Sequence, residues 1–284
     1  MEGYCYLNGR ILPLMDAHVS VLDRGFVLGD GIYEVVPVYA GAPFRAQQHF
    51  RRLQRSLAAV RIPLPFDEAG FLRILNDLVL IAGQPPAPRE LFYLQITRGV
   101  APRVHAMPPG LTPTVFAMLQ PLSVGPSAQD LVEGASCVSA EEFRWRLGQI
   151  KSTSLLGSVM ARQISQDAGA AETILHRDGW LTEDSASNVW VVKAGQVFGV
   201  PRDSGVLEGI RYELLEELCA QESLELIYRP IAWAEVLEAD ELLLSSASKE
   251  ILAVTQLDGR AVGSGQPGPV WHRLYAAYQN ALPR

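Results

Sequence analysis

Apolar and polar positions recur with two different periods along the chain, and together these periods predict a mixture of strands and helices. Residues Tyr4–Leu7 and 10–12 flank Asn8-Gly9, a strong signal for a β-hairpin. A strand is predicted at 33–39. Between 47 and 60 the apolar residues recur at helical spacing, and Asp67 can cap a second helix that Gly83 closes. Further strands are predicted at 90–97 and 114–119.

The second half continues with short strands and turns. Strands are predicted at 135–143, 172–177, 180–182, 188–193, 197–200, 241–244 and 251–257, and helices at 155–167, 209–221 and the C-terminus. Because hairpins outnumber strand–helix–strand crossovers, we expect an α+β fold with two domains and mostly antiparallel sheets. The domains are predicted at 1–120 and 130–284. Pro121, Gly125 and Pro126 indicate a linker at 121–129.

Composition narrows the possible functions. The chain has 284 residues, of which 48% are hydrophobic and 19% charged, so it can bury a sizeable core. Its net charge of −7 argues against a nucleic-acid groove. Three distant cysteines and five ungrouped histidines predict neither disulfides nor a metal site. Without a signal-like start or an unbroken apolar span, we expect a cytoplasmic protein away from membranes.

Lysine is scarce, which makes each lysine informative. The chain has three lysines against 21 arginines. Lys151 has no acidic residue within seven positions before it or ten after it, and uncharged surroundings favour a neutral amine. A neutral amine can attack a carbonyl and form a Schiff base. Lys193, beside a turn, and Lys249, in a polar stretch, fit ordinary solvated lysines better.

Other residues match the remaining needs of a pyridoxal phosphate site, which requires an acid for the pyridine nitrogen and N–H groups for the phosphate. Glu183 lies between two predicted strands, where Ser185, Ser187 and Asn188 could order it. Gly209-Ile210 begins a helix whose N–H groups can bind an anion. The polar turn 245–248, which contains Ser246 and Ala247, could do the same. Each feature alone is more typical of ordinary turns and caps.

A loop after the fourth predicted strand carries two candidate substrate ligands. Arg103 and His105 are two residues apart, so an extended backbone would direct both side chains to one side. That arrangement suits a carboxylate, because Arg offers a planar pair of donors. Two solvated loop residues are the ordinary alternative.

Taken together, these segments resemble the D-amino-acid aminotransferases among the fold-type IV pyridoxal-phosphate enzymes. The resemblance runs from Asp23-Arg24-Gly25 and the segment GDGIYEVV (29–36) to Leu207-Glu208-Gly209-Ile210. The segment IKSTSLLG (150–157) and Thr182-Glu183 are typical of the fold type. The pattern RGVAPRVH (98–105) is typical of the D-amino-acid branch.

The resemblance implies a transaminase that moves the amino group of a D-amino acid to a 2-oxo acid, using pyridoxal 5'-phosphate. Lys151 would hold the cofactor as a Schiff base and carry a proton, with Glu183 at the pyridine nitrogen and Arg52 at the phosphate. Tyr33, Arg103 and His105 would bind the substrate carboxylate. In this family the Arg and His reach in from the partner subunit of a homodimer, and the site lies at the domain interface. The other expected cofactor-binding residues are Arg144, Leu207, Gly209, Ile210, Ser246 and Ala247.

Two positions depart from the family pattern, because Arg211 and Ala247 stand where relatives carry threonine. Backbone N–H groups survive both changes, and Arg211 could supply charge to the phosphate. Three alternatives stay open. They are a branched-chain L-aminotransferase, an aminodeoxychorismate lyase of the same fold, and a non-catalytic protein that binds pyridoxal phosphate or a small anion.

Overall fold

The structure, a computed structural model, describes residues 3–83, 86–121, 126–202 and 205–283. The chain divides into two compact units. The first comprises Met1–Ser123, Ile150–Leu155 and Pro283–Arg284, and the second comprises Val124–Gln149 and Leu156–Leu282. The predicted linker at 121–129 lies partly outside the described residues. Part of its remainder is helical, because a helix spans Ala128–Glu133.

The first unit is built on an antiparallel sheet with the strand order β2-β1-β6-β5-β3-β4. Its strands are β1 (Tyr4–Leu7), β2 (Arg10–Pro13), β3 (Gly31–Tyr39), β4 (Ala42–Pro43), β5 (Arg89–Thr97) and β6 (Thr114–Pro121). Its helices are α1 (Arg24–Leu28), α2 (Ala46–Ala59) and α3 (Glu68–Ile81). The predicted hairpin at Asn8-Gly9 is confirmed, because Leu7 pairs with Arg10.

Helices α2 and α3 bury their apolar faces against this sheet. Phe50 of α2 and Phe92 of β5 both contact Phe71 of α3, with ring centroids 5.5 and 5.8 Å apart, respectively. The predicted cap is present, since Asp67 accepts a hydrogen bond of 2.8 Å from the Gly70 amide. Truncating Phe71 to Ala would cost about 3–5 kcal/mol, because its side chain is fully buried.

The segment Ile150–Leu155 belongs to the first unit, although the sequence placed Lys151 in the C-terminal domain. Backbone pairing explains this difference. The Tyr33 amide donates to the Lys151 carbonyl at 3.0 Å, and Ile32 forms a bridge with Ser152. Ile150 packs against the apolar core of the same unit. Long-range backbone pairing of this kind leaves no periodic signal in the segment itself.

The second unit contains a larger sheet in the order β12-β11-β10-β13-β14-β7-β8-β9, with β15 paired to β14. Its strands are β7 (Ala135–Glu141), β8 (Glu172–Arg177), β9 (Trp180–Asp184), β10 (Asn188–Lys193), β11 (Gln196–Gly199), β12 (Leu226–Tyr228), β13 (Glu241–Ser246), β14 (Glu250–Leu257) and β15 (Arg260–Ala261). Its helices are α4 (Ala128–Glu133), α5 (Leu156–Asp167), α6 (Ile210–Gln221), α7 (Trp233–Leu237) and α8 (Pro269–Ala281).

This second sheet is mixed. Strand β7 runs parallel to both β14 and β8, and β11 runs parallel to β12, whereas the other pairings are antiparallel. Helix α5 makes the crossover that a parallel β7–β8 pair needs. The predicted α+β fold with mostly antiparallel sheets is confirmed. The sequence reasoning missed the parallel pairs and the short elements α1, α7 and β12. Among the described residues, no helix is both long and apolar enough to cross a membrane.

Candidate active site

Lys151 and Tyr33 lie together in the first unit. The Lys151 Nζ is 4.2 Å from the centroid of the Tyr33 ring, and both side chains are half-buried. Two hydroxyls hold the lysine segment, because Thr153 and Ser154 donate to the Gly29 carbonyl at 2.9 and 3.0 Å. Gly29 has a φ of 66°, and an added Cβ would lie 2.6 Å from the Ser154 Oγ. Glycine at this turn therefore permits the close approach of the lysine segment.

The other two lysines are engaged elsewhere. Lys193 is half-exposed and its Nζ lies 3.2 Å from a carboxylate oxygen of Asp240. Lys249 is not the solvated lysine that the sequence suggested, because its side chain is only 17% exposed and its Nζ lies 3.1 Å from buried Glu172. Among the described residues Lys151 makes no ion pair. Its amine is therefore the best candidate for chemistry.

Arg52 is buried on α2 and binds a carboxylate that the sequence reasoning missed. Its Nε and Nη2 donate to the two oxygens of Glu34 on β3, both at 2.8 Å, and His49 Nδ1 lies 2.8 Å from the same carboxylate. Burial would raise the pKa of Glu34, but Arg52 and His49 hold that pKa well below its usual range. The signal available in the sequence was the spacing of His49 and Arg52, which places them on one helix face.

Arg103 and His105 are exposed on the loop after β5. The loop is held at its base by Asp30, which binds Arg98 and Arg24, each at 2.7 Å. Arg24 also donates from Nη1 to the Val104 carbonyl at 2.6 Å. Burial opposes ionisation of Asp30, yet Arg98 and Arg24 lower its pKa. The loop carrying the predicted carboxylate ligands therefore has a rigid, charged support.

Glu183 lies on β9 in the second unit, with a side chain only 12% exposed. It accepts a hydrogen bond from the Leu207 amide at 3.0 Å and contacts Arg144 Nη2 at 3.1 Å. Burial raises the pKa of Glu183 to about 7, although Arg144 and the Leu207 amide lower it in part. Such a carboxylate gains strongly from a further cation, such as a protonated ring nitrogen.

Arg144 connects Glu183 to a second acid. Its Nη2 lies 2.6 Å from a carboxylate oxygen of Glu142, and its Nε donates to the other oxygen of Glu142 at 2.9 Å. Glu142 was another residue that the sequence reasoning missed. Burial would raise its pKa, but Arg144 lowers that pKa. The guanidinium is thus held between the carboxylates of Glu142 and Glu183.

The serines near Glu183 have other partners than the sequence suggested. The Ser185 hydroxyl donates to Glu172, and the Ser187 hydroxyl donates to Asp184. Asn188 does reach Glu183, at 3.5 Å, and donates to the Leu207 carbonyl at 2.8 Å. Of the three predicted residues, only the asparagine orders Glu183 directly, and it also holds Leu207 in place.

Two backbone segments of the second unit are suited to an anion. Gly209 begins α6, and an added Cβ there would lie 2.2 Å from the Asn188 Oδ1, so glycine permits this close packing. The first N–H groups of a helix have no partner within the helix, which makes them donors for a phosphate. At the end of β13, the Ser246 hydroxyl accepts from the Lys249 amide at 3.1 Å and orders the turn containing Ala247.

The chemistry of these donors fits pyridoxal 5'-phosphate. The first unit supplies an amine without an ion-pair partner among the described residues, beside a tyrosine ring. The second unit supplies a buried carboxylate of raised pKa and a helix beginning at a glycine. A Schiff base, a pyridine nitrogen and a phosphate need these groups. The individual roles of the predicted site residues stay predictions.

Comparison with known proteins gives a consistent result. A protein family described as Amino-transferase class IV matches residues 31–257. The chain is 38% identical over 275 residues to a D-alanine aminotransferase of Bacillus licheniformis, covering 97% of this chain and 95% of that protein. The resemblance to fold-type IV aminotransferases is thereby confirmed.

Solved structures share the fold. A branched-chain amino acid aminotransferase of Escherichia coli superimposes with a TM-score of 0.90 at 23% identity, covering 99% of this chain and 94% of that one. A branched-chain amino acid aminotransferase of T.th., solved with pyridoxamine 5'-phosphate, gives a TM-score of 0.89 at 22% identity, with coverage of 99% and 94%. At these identities the structural likeness supports the fold alone.

Proposed function

The chain belongs to the class IV aminotransferase family, and on this basis we propose that it transfers the amino group of a D-amino acid to a 2-oxo acid. One observation carries the choice of a D-amino acid. Arg103 and His105 are presented on an exposed loop whose backbone is held by buried Arg24. The relative from Bacillus licheniformis, named a D-alanine aminotransferase, supports D-alanine as the first substrate to test.

The family cofactor is pyridoxal 5'-phosphate, which supplies an aldehyde carbon for the amino group and a ring that withdraws electrons. Glu183 would hold the pyridine nitrogen and Arg144 would lie near the ring hydroxyl. Leu207, whose backbone contacts Glu183, would pack against the ring. The phosphate would be bound by Arg52 and by four residues acting through backbone N–H groups or a hydroxyl, namely Gly209, Ile210, Ser246 and Ala247.

Lys151 would attach to the cofactor and then act as the base. Its Nζ would take the proton from the substrate Cα and return it to the cofactor. A lysine performs this step only as a neutral amine. The contact with the Tyr33 ring orients the amine, and the hydroxyls of Thr153 and Ser154 fix the backbone beneath it. Positioning of this kind shortens the search for the reactive geometry.

Arg103 and His105, together with Tyr33, would bind the substrate carboxylate. The planar guanidinium can donate to both carboxylate oxygens. We further propose that the enzyme is a homodimer and that Arg103 and His105 act in the partner's site. Large apolar side chains exposed on the same unit support an interface, since Val21, Phe26 and Met107 are 70%, 71% and 52% exposed.

The reaction is assigned to the cytoplasm. Cys5, Cys137 and Cys219 are buried free thiols, which fits a reducing compartment.

The decisive experiment measures pyruvate formation from D-alanine and 2-oxoglutarate by the purified holoenzyme. L-leucine serves as the competing donor, and the Lys151→Ala variant as the control. We expect turnover with D-alanine that the variant lacks. Turnover with L-leucine alone would favour the branched-chain L-aminotransferase, and pyruvate formation from an aminodeoxychorismate substrate would favour the lyase. Cofactor binding without any turnover would indicate the non-catalytic protein.

A further inference from the structure

Arg211, the second residue of α6, connects three elements of the second unit. Its side chain is buried, with the residue only 2% exposed. The Nε donates to the Ser246 carbonyl at 3.2 Å, at the end of β13. The Nη2 donates to the Tyr278 hydroxyl on α8 at 2.9 Å, and the guanidinium carbon lies 5.2 Å from the centroid of that ring.

These contacts answer a question that the sequence left open. Arg211 stands where the family pattern has threonine, and its charge could have been directed at the cofactor phosphate. Instead the guanidinium binds a carbonyl and a tyrosine of its own unit. A buried cation held by a carbonyl, a hydroxyl and an aromatic face is well satisfied. Its contribution to phosphate binding must therefore be indirect.

The indirect route runs through one peptide group. The Ser246 carbonyl and the Ala247 N–H belong to the same planar, trans peptide unit, so they point in opposite directions. When Arg211 binds the carbonyl, it also sets the direction of the Ala247 N–H. A cation at the carbonyl oxygen polarises the peptide group and strengthens its N–H as a donor.

We propose that Arg211 is a positioning residue for the cofactor phosphate, a role that depends on the proposed phosphate-binding segments of the preceding section. It aims the Ala247 N–H and holds the turn containing Ala247 at a set distance from the beginning of α6. In this way the chain compensates for the hydroxyls that are missing at positions 211 and 247. The phosphate would be bound by oriented backbone donors, and the arginine would never touch it.

The test compares pyridoxal 5'-phosphate with pyridoxal, which lacks the phosphate. The full-length protein, freed of cofactor, is titrated with each compound and binding is followed by absorbance. In the variant Arg211→Met we expect the preference for the phosphorylated compound to fall about tenfold, the effect of losing one charge-assisted hydrogen bond. Affinity for pyridoxal should change less than about twofold. Tyr278→Phe keeps the bond to Ser246, so its preference should stay within about threefold of wild type.

Two further measurements separate positioning from general loss of structure. Amide hydrogen exchange at Ala247 should accelerate in Arg211→Met but not in Tyr278→Phe. The matched control is Arg202→Met, because Arg202 is an arginine of the same unit that pairs with Glu208 and Glu216. This control should leave both the phosphate preference and the exchange at Ala247 unchanged. If Arg211→Met does not fold, Arg211→Lys is measured in the same way.

An unchanged preference for the phosphorylated compound in a folded Arg211 variant would overturn the proposal. So would an equal loss of affinity for both compounds, which would mean that Arg211 only stabilises the fold. Both results concern cofactor binding alone. If wild type binds pyridoxal 5'-phosphate but transfers no amino group from D-alanine, the proposed function fails while the role of Arg211 stands.

Discussion

The Nη1 of Arg24 lies 2.6 Å from the carbonyl oxygen of Val104, the residue between Arg103 and His105. Arg24 is 2% exposed and shares the carboxylate of Asp30 with Arg98. A buried arginine thus holds the backbone of the loop that carries the proposed carboxylate ligands. The loop can be exposed to substrate without being loose, which reduces the ordering that binding requires.

Replacing Arg24 should weaken substrate binding without affecting the cofactor. In Arg24→Met the Val104 carbonyl loses a charge-assisted donor, while Arg98 still pairs with Asp30. We expect the KM for D-alanine to rise about tenfold, with kcat reduced less. Exposed Arg51 supplies the control, Arg51→Met, which should behave as wild type. A fall in kcat with constant KM would contradict a role in holding the loop.

Lys151→Ala should abolish transamination in a protein that stays folded. Neither of the other two amines can replace it, because Lys193 and Lys249 pair with Asp240 and Glu172. Reduction of the wild-type holoenzyme with borohydride, followed by digestion and mass spectrometry, should find the pyridoxyl label on Lys151. A label on Lys249 would show that the wrong amine has been assigned.

Glu183→Gln should retain the cofactor but slow removal of the Cα proton. A neutral amide cannot stabilise a positive charge on the pyridine nitrogen, so the ring withdraws electrons less well. We expect the single-turnover rate with D-alanine to fall about 100-fold or more, which is typical of losing a preorganised electrostatic contact. Stopped-flow absorbance measures this rate. A wild-type rate would remove Glu183 from the role.

The same carboxylate should make the stability of the cofactor-free protein depend on pH. The pKa of Glu183 is raised from 4.5 to about 7, so the folded state binds this proton more tightly than the unfolded state. The free energy of unfolding should therefore fall as pH rises between these two values, by about 3 kcal/mol in total from this group. Urea unfolding at several pH values should show that Glu183→Gln lacks this contribution. Equal pH dependence in both proteins would argue against it.

Arg103→Ala should reduce the efficiency for D-amino acids selectively. Loss of a charged hydrogen bond to the carboxylate corresponds to about a 10–200-fold decrease in kcat/KM. The rate with a primary amine that has no carboxylate should change little. An unchanged efficiency and an unchanged preference for D-alanine would exclude Arg103 as a carboxylate ligand and favour the branched-chain alternative.

Mixed dimers test whether Arg103 acts across the subunits. A heterodimer of Lys151→Ala and Arg103→Ala subunits has one site with both residues only if each site takes its arginine from the partner. We expect D-alanine turnover in purified heterodimers that neither mutant homodimer reaches. Absence of recovery would place lysine and arginine of one site in the same chain.

Much of the fold could be predicted from local signals. The hairpin at Asn8-Gly9 and the cap at Asp67 are confirmed because turn and cap preferences depend on neighbouring residues. Short elements such as α1 and α7 were missed, since five residues are too few to show a period. The parallel partners of β7 were also missed, because strand partners are chosen by contacts remote in sequence.

The sequence by itself determined the family, the types of group available for chemistry and the choice of Lys151 among three lysines. Only the tertiary structure decided how those groups are supported. It placed Glu34 on Arg52, Arg24 on the Val104 carbonyl and Arg211 on the Ser246 carbonyl. These partners are 18, 80 and 35 residues apart, respectively. A buried charge must find its partner wherever the folded backbone brings one within reach, and no local pattern records that choice.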